Sequence, residues 1–164
     1  MSTRYFGERI KRNEDPRLLT GQGLYVDDVD LPNMLHAAFI RSPYAHAKIN
    51  RIDVSQALER DGVVAIYTAE DLGDYWKPGL LLVSPPPVKD IVFNERTQVP
   101  LAKDKVKFAG EPVVMVLAES RYIAEDALAD IQIDYETLEA VVDVEKALRL
   151  ESPIIHDEIG SNVA

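Results

Sequence analysis

The alternation of hydrophobic and polar residues is clearest between residues 106 and 136. Residues 113–117 form a continuous apolar run, which is typical of a strand buried on both faces. Pro112 suits the first position of that strand because it has no amide hydrogen to donate. Ser120 can then cap a helix, whose inward face would carry apolar residues at helical spacing, namely Ile123, Ala124, Ala127, Leu128 and Ile131.

After this helix, the spacing of the apolar residues changes from about 3.6 residues, as in a helix, to 2 residues, as in a strand. Ile131, Ile133 and Tyr135 alternate with polar residues, as in a half-buried strand. The solvent side of the helix would carry Arg121, Glu125, Asp126 and Asp130. A crossover of this kind can return the chain parallel to its start, and such units are right-handed in about 98% of cases. We therefore expect an α+β fold with a βαβ crossover at about residues 112–136.

Three further apolar segments predict strands at residues 35–40, 47–54 and 63–67. The first two are separated by a proline-containing turn at residues 41–46, so we expect them to pair with each other. A short helix is predicted over residues 56–60, ending at a glycine.

The two ends of the chain lack these periodicities. Residues 1–16 are polar and mixed in charge, which predicts an extended stretch, and we place an N-terminal arm at residues 1–20. The glycines and aspartates of residues 18–30 fit neither a phosphate loop nor a calcium loop, so we interpret them as a solvated turn. We place the compact domain at residues 21–150. Residues 151–164 form a tail that we expect to lead into a region absent from this sequence.

A long irregular segment interrupts the predicted domain at residues 73–98. It contains Trp76, the only tryptophan, and the run Pro85–Pro87. Loops of this length inside a compact domain are functional, form interfaces or are disordered. The aromatic and proline content favours a docking loop, and a loop folded over its own domain is the alternative.

Composition limits the possible partners and location. The chain has 164 residues, of which 46% are hydrophobic, and 28 acids against 18 lysines and arginines give a net charge of -10. This charge repels phosphate backbones and anionic lipids, so neither nucleic acid nor a membrane is expected as a partner. There is no cysteine, and hence no thiolate nucleophile or iron–sulfur ligand. Without a signal segment or an apolar run of roughly 18 residues, the predicted location is the cytoplasm.

Few residues suggest chemistry of their own. His36, His46 and His156 are widely separated and lack the spacing of a helical metal site. Glu111 lies between Gly110 and Pro112, where it is either a general acid or base or a hydrogen-bonded loop acid. No nucleophile elbow or dinucleotide-binding loop is present. We therefore assign no catalytic, cofactor-binding or metal-binding residue.

Four separated motifs point to a family. They are EDPRLLTGQGLYVDD at residues 14–28, RSPYAHAKI at 41–49, GEPV at 110–113 and DYE at 134–136. In this order they resemble the N-terminal region of the large subunit of molybdenum hydroxylases, the family of aerobic carbon monoxide dehydrogenase, xanthine dehydrogenase and aldehyde oxidase. The resemblance implies an α/β-hammerhead domain that begins a much longer subunit.

The resemblance also implies the cofactors and partners of the whole enzyme. A molybdenum–pterin cofactor would be bound by the downstream domain, while 2Fe-2S clusters and FAD would belong to iron–sulfur and flavin subunits. The family's catalytic and pterin-binding residues lie beyond the matched region, so none is transferred to this chain. We therefore expect a structural domain that supports the molybdenum domain and contacts the iron–sulfur subunit. A stand-alone scaffold or binding module of the same fold is the alternative, and a small independent enzyme a weaker one.

The candidate interface residues come from the predicted turns and loop. Arg41 is the favoured anchor because its planar guanidinium can bind a carboxylate or carbonyl groups across an interface; the alternative is an ion pair with a nearby surface acid. The full set is Arg41, Ser42, Pro43, Tyr44, His46, Gly110, Glu111, Pro112 and Trp76.

Overall fold

A computed structural model describes residue 7, residues 9–79 and residues 98–163. The chain divides into two compact units, Met1–Met34 and Leu35–Ala164. In the first unit, α1 spans Asp15–Leu19 and a 3-10 turn spans Val26–Asp28. The prediction of an extended conformation up to residue 16 was therefore wrong at its end, where α1 begins. A proline in the first helical turn is tolerated because its missing amide hydrogen would have no partner there.

The second unit contains two three-stranded sheets, in the orders β1-β5-β3 and β4-β2-β6. Every strand pairing among the described residues is antiparallel. The elements are β1 (His36–Arg41), β2 (Ala47–Asp53), α2 (Ser55–Leu58), β3 (Val63–Tyr67), a 3-10 turn (Gly73–Tyr75), β4 (Lys105–Val106), β5 (Pro112–Ala118), α3 (Arg121–Leu128), β6 (Gln132–Thr137) and α4 (Val144–Ala147).

The strand predicted from the apolar run is the centre of the first sheet. It begins at Pro112, as expected, and lies between β1 and β3. The side chains of Val113, Val114 and Val116 are fully buried. Because residues 113 and 114 point to opposite faces of a strand, both faces of β5 are covered. These valines belong to one core cluster that also contains residues of β2, β4 and α3.

Helix α3 also follows its sequence pattern. The Ser120 hydroxyl accepts a hydrogen bond from the Ile123 amide at 3.2 Å, which confirms the predicted cap. Ala124 and Ala127 are buried. Asp130, predicted to be solvated, instead lies 2.6 Å from the Arg60 guanidinium and is only 17% exposed. That prediction was wrong because the partner comes from the end of α2, which is distant in sequence.

The predicted strand–helix–strand succession is present, but its two strands lie in different sheets. Strand β6 pairs with β2, with Tyr135 opposite Ile49 and Ile133 opposite Ile52. The expectation of a parallel return was wrong because β1 and β3 occupy both edges of β5. The expected pairing of β1 with β2 was also wrong, since β1 pairs with β5 while β2 pairs with β4 and β6.

Gly62 lies in the turn directly before β3, close to the side chain of Ile123 in α3. Its φ of +84° lies in the left-handed region, and a Cβ there would stand 2.7 Å from Cδ1 of Ile123. Its carbonyl accepts a hydrogen bond from the Glu119 amide. Glycine is therefore favoured at this position by its left-handed conformation, and a Cβ would also require the end of the Ile123 side chain to move.

The tail after α4 is held by hydrogen bonds. Asp143 caps α4 by accepting from the Lys146 amide at 3.0 Å. The Asn162 side chain accepts from the Ile155 amide and donates to the carbonyls of Ala147 and Pro153. One side chain thus fixes the path of the last described residues.

Two ion pairs join the tail to β4 and to the residue that follows it. Lys105 pairs with Asp157, and Nζ of Lys107 lies 2.6 Å from Glu158. Partial burial raises the pKa of the Glu158 carboxyl, but hydrogen bonds from Lys107, its own backbone amide and His156 outweigh this and lower the pKa to about 2. Glu158 therefore stays ionised at neutral pH and keeps its partners.

Replacing Val116 with alanine tests the importance of β5. We expect a loss of about 2 kcal/mol in the free energy of unfolding, because a fully buried side chain leaves a cavity. Val64→Ala, at a half-exposed position of the same sheet, should cost less than about 0.5 kcal/mol. Urea denaturation of the two variants measures both values, and equal losses would contradict the central role of β5.

Candidate functional site

Two of the predicted interface turns are joined by their backbones. The Ser42 amide donates to the Glu111 carbonyl at 2.9 Å, and the Gly110 amide donates to the Ser42 carbonyl at 2.8 Å. They lie where β1 ends and β5 begins, with Arg41 opposite Pro112. We call residues 41–46 and 107–112 together the paired turns. The sequence named both turns, but their separation along the chain gave no sign that they are in contact.

Arg41 also bridges the paired turns. Its guanidinium donates to the Gly110 carbonyl at 3.0 Å and lies 5.7 Å from the centre of the Phe39 ring. The expected alternative was an ion pair with a surface acid, whereas the bond found is to a backbone carbonyl. A guanidinium has five N–H donors, so further acceptors can still bind to this exposed side chain.

The candidate residues divide into those facing inward and those facing solvent. Ser42, His46 and Glu111 are only 3–4% exposed, so these side chains hold the turns from within. The Ser42 hydroxyl accepts from the Tyr44 amide and donates to the Tyr44 carbonyl. Arg41 and Pro43 are exposed, and Tyr44 is 39% exposed. The outer surface of the first turn therefore consists of these three residues and Ala45.

Glu111 behaves as the hydrogen-bonded loop acid that the sequence allowed. Its carboxylate accepts from the Lys107 amide at 2.6 Å, which closes the second turn. Burial raises the pKa of this carboxyl above its ordinary value, while the hydrogen bond from the Lys107 amide and the Lys107 charge oppose the rise. The carboxylate is thus engaged by its own backbone.

His46 connects the first turn to the end of β6. Its Nδ1 lies 2.8 Å from the Glu139 carbonyl oxygen, and because a carbonyl only accepts, Nδ1 carries the hydrogen. Among the described residues, neither Nε2 of His46 nor the Tyr135 hydroxyl has a hydrogen-bond partner. Burial and the neighbouring Tyr44 raise the pKa of the Tyr135 phenol, whose ring lies 5.2 Å from that of Tyr44. The His46 ring is therefore enclosed by this chain.

Trp76 lies beside a cavity of about 380 Å³ that Lys107 of the paired turns also lines. Its indole donates to the Leu101 carbonyl at 2.8 Å, and the Lys103 ammonium is 5.7 Å from the ring centre. The tryptophan is thus fixed against its own domain. The predicted docking run Pro85–Pro87 lies outside the described residues.

Sequence reasoning missed two exposed aromatic side chains, Phe39 beside Arg41 and Phe108 in the second turn. Phe39 is 38% exposed and Phe108 is 53% exposed. The alternation of β1 places Phe39 on the same face as Arg41, and this signal could have been used. Phe108 lies in an irregular turn, where no periodicity indicates the direction of a side chain.

The described residues contain no group of side chains suited to hold a metal ion. Within residues 9–79 and 98–163, histidine, aspartate and glutamate side chains form no group of three or more that could hold a metal ion. The three histidines lie in β1, in the first turn and in the tail. We therefore derive no redox step from these residues.

No helix of this described part is long and apolar enough to cross a membrane.

Comparison with known proteins gives consistent matches along the chain. A family described as aldehyde oxidase and xanthine dehydrogenase, a/b hammerhead domain, matches residues 20–139. The nicotine 6-hydroxylase large subunit of Paenarthrobacter nicotinovorans is 41% identical over 96% of this chain, and the carbon monoxide dehydrogenase large chain of Afipia carboxidovorans is 42% identical over 93%. In each case the match spans only 18% of the relative.

A solved structure shows the same fold. Quinoline 2-oxidoreductase from Pseudomonas putida 86 superimposes with a TM-score of 0.82 at 39% identity, over 94% of this chain and 19% of that one. The chain therefore spans less than a fifth of the length of each of these three relatives.

Glu111→Gln tests the buried carboxylate. Because the pKa of Glu111 is raised in the folded protein, its contribution to the free energy of unfolding is fully present below pH 4.5, the ordinary pKa of the group. The contribution is lost as the pH rises through the pKa of the folded state. Glutamine keeps an oxygen that can accept from the Lys107 amide, but it does not ionise. Relative to the wild type, the variant should therefore gain stability as pH rises from 4.5 towards neutrality.

Urea denaturation across this pH range measures the difference between the two proteins. Glu125→Gln, on the exposed face of α3, controls for the loss of one negative charge. A difference that does not change with pH, or that changes in the opposite direction, would contradict a raised pKa for Glu111.

Proposed function

Because this chain belongs to the aldehyde oxidase and xanthine dehydrogenase a/b hammerhead domain family, we propose that it is the support domain of a molybdenum hydroxylase large subunit. The observation that carries the proposal is a pair of sequence matches to oxidoreductase large subunits. Each match covers nearly the whole of this chain but less than a fifth of the length of the relative. The domain would supply structure, and the rest of the subunit would supply the reaction.

The proposed subunit contains a molybdenum–pterin cofactor outside this domain. Its partners are an iron–sulfur subunit with 2Fe-2S clusters and a flavin subunit with FAD, and its location is the cytoplasm. One solved relative is a Cu,Mo-containing carbon monoxide dehydrogenase, which matches 93% of this chain with a TM-score of 0.78.

We assign the paired turns to contact with the iron–sulfur subunit. Arginine and aromatic residues are enriched at protein interfaces and carry much of their binding energy. Here Arg41 lies over Phe39 and is held by the Gly110 carbonyl, so less side-chain freedom is lost on binding. Tyr44 and Phe108 add exposed aromatic surface on the two turns.

The metal content of the longer gene product tests the enzyme assignment. We expect the purified full-length subunit to contain molybdenum and the 164-residue chain to contain none. Plasma emission spectrometry of both proteins measures this directly. A full-length product without molybdenum, or a native stop codon after Ala164, would instead favour a stand-alone scaffold.

Arg41→Ala in the full-length subunit tests the interface. Loss of an anchoring arginine typically costs about 2 kcal/mol or more, so binding of the iron–sulfur subunit should weaken by at least about tenfold. Arg51→Ala is the matched control, because Arg51 is exposed and pairs with Asp53 only two residues away. Co-purification and titration of the two subunits measure the effect, and equal binding by both variants would remove Arg41 from the interface.

A further inference from the structure

The second of the paired turns, residues 107–112, is anchored unequally on its two sides. On one side it leads into β5, whose seven residues lie at the centre of the first sheet. On the other side it follows β4, which has only two residues and lies at an edge of the second sheet. A pairing this short opens more easily than a central strand, because few hydrogen bonds hold it. The side of the turn next to β4 therefore needs further contacts to keep one conformation.

The tail supplies contacts on this weaker side. Lys105 pairs with Asp157, and Nζ of Lys107 lies 2.6 Å from Oε1 of Glu158. Nδ1 of His156 lies 3.3 Å from the same oxygen. The Lys107 side chain is only 15% exposed, so salt screens its charge less than it would on the open surface. Residues on both sides of Val106 are thus tied to the tail.

Lys107 passes this restraint to the paired turns through its backbone. Its amide donates to the Glu111 carboxylate at 2.6 Å, so the tail holds the side chain of Lys107 while the turn holds its main chain. The Glu111 carbonyl accepts from the Ser42 amide in the first turn. The adjacent Gly110 carbonyl accepts from the Arg41 guanidinium. A continuous series of contacts therefore joins the tail to Arg41.

We propose that the tail holds the second turn in the conformation that binds the iron–sulfur subunit, so that Lys107 and Glu158 are positioning residues for Arg41. This inference rests on the proposed function, because it names what controls the surface assigned there. Lys107 is largely covered by its own chain, so it acts through the turn and not by touching the partner. A turn that is already held loses less freedom on binding, and the partner binds more tightly as a result.

Glu158→Gln in the full-length subunit tests the first step. The substitution removes the charge that pairs with Lys107 and keeps the size of the side chain. Hydrogen exchange over residues 107–111 should become about threefold faster, as expected from the loss of one partly exposed ion pair. Exchange over β5 should not change. Mass spectrometry of the subunit without its partners measures both segments.

Glu14→Gln serves as the control for this measurement. It also removes a carboxylate from a paired cation, but its partner Arg17 lies three residues away in the first unit. If both variants exchange equally over residues 107–111, the tail does not hold the turn and the proposal is overturned. Exchange that is equally faster over β5 would also overturn it, because the effect would then be a general loss of stability.

Titration with the iron–sulfur subunit tests the second step. Glu158→Gln should bind about threefold more weakly than the wild type. In a subunit that already carries Lys107→Met, the same substitution should have no further effect, because the paired ammonium is gone. Additive losses would show that Glu158 acts by another route, and they would overturn the proposal. Faster exchange without weaker binding would overturn it as well.

This inference and the proposed function fail in different ways. A wild-type subunit that does not bind the iron–sulfur subunit rejects the assigned interface. A wild-type subunit that binds, together with a Glu158→Gln variant that binds equally tightly, rejects the positioning role alone.

Discussion

The burial of β5 is the constraint on which the rest of the fold depends. Its valines point to both faces of the sheet and are completely excluded from solvent, so each face has to be covered. Its two edges are taken by β1 and β3, which satisfy the backbone hydrogen bonds of the strand. Strand β6 therefore cannot pair with β5, because neither edge of β5 is free. Helix α3 instead carries the chain to the second sheet.

The paired turns follow from the same arrangement, since they form where β1 leaves the first sheet and where Pro112 begins β5. Glu111 and Ser42 hold them from within, which leaves Arg41 and its aromatic neighbours on the outside. Under our proposal this surface suits a separate subunit that needs specific polar contacts.

Local patterns in the sequence predicted most of the helices and strands. The apolar run of β5, the Ser120 cap and the alternation in β6 each depend on neighbouring residues, and the structure confirms all three. The sequence also pointed to the turn around Arg41 and the turn around Glu111. It contained no periodic signal for Phe108 or for the tail, where backbone conformation is irregular.

Only the tertiary structure decided how these elements pair. Strand partners, the contact between the turns, the Arg60–Asp130 ion pair and the links between the tail and the segment that begins at β4 all join residues distant along the chain. Such contacts depend on which edges and faces the buried strand leaves available. A local pattern shows that a residue will be buried or exposed, but the competition for the edges of β5 determines what lies against it.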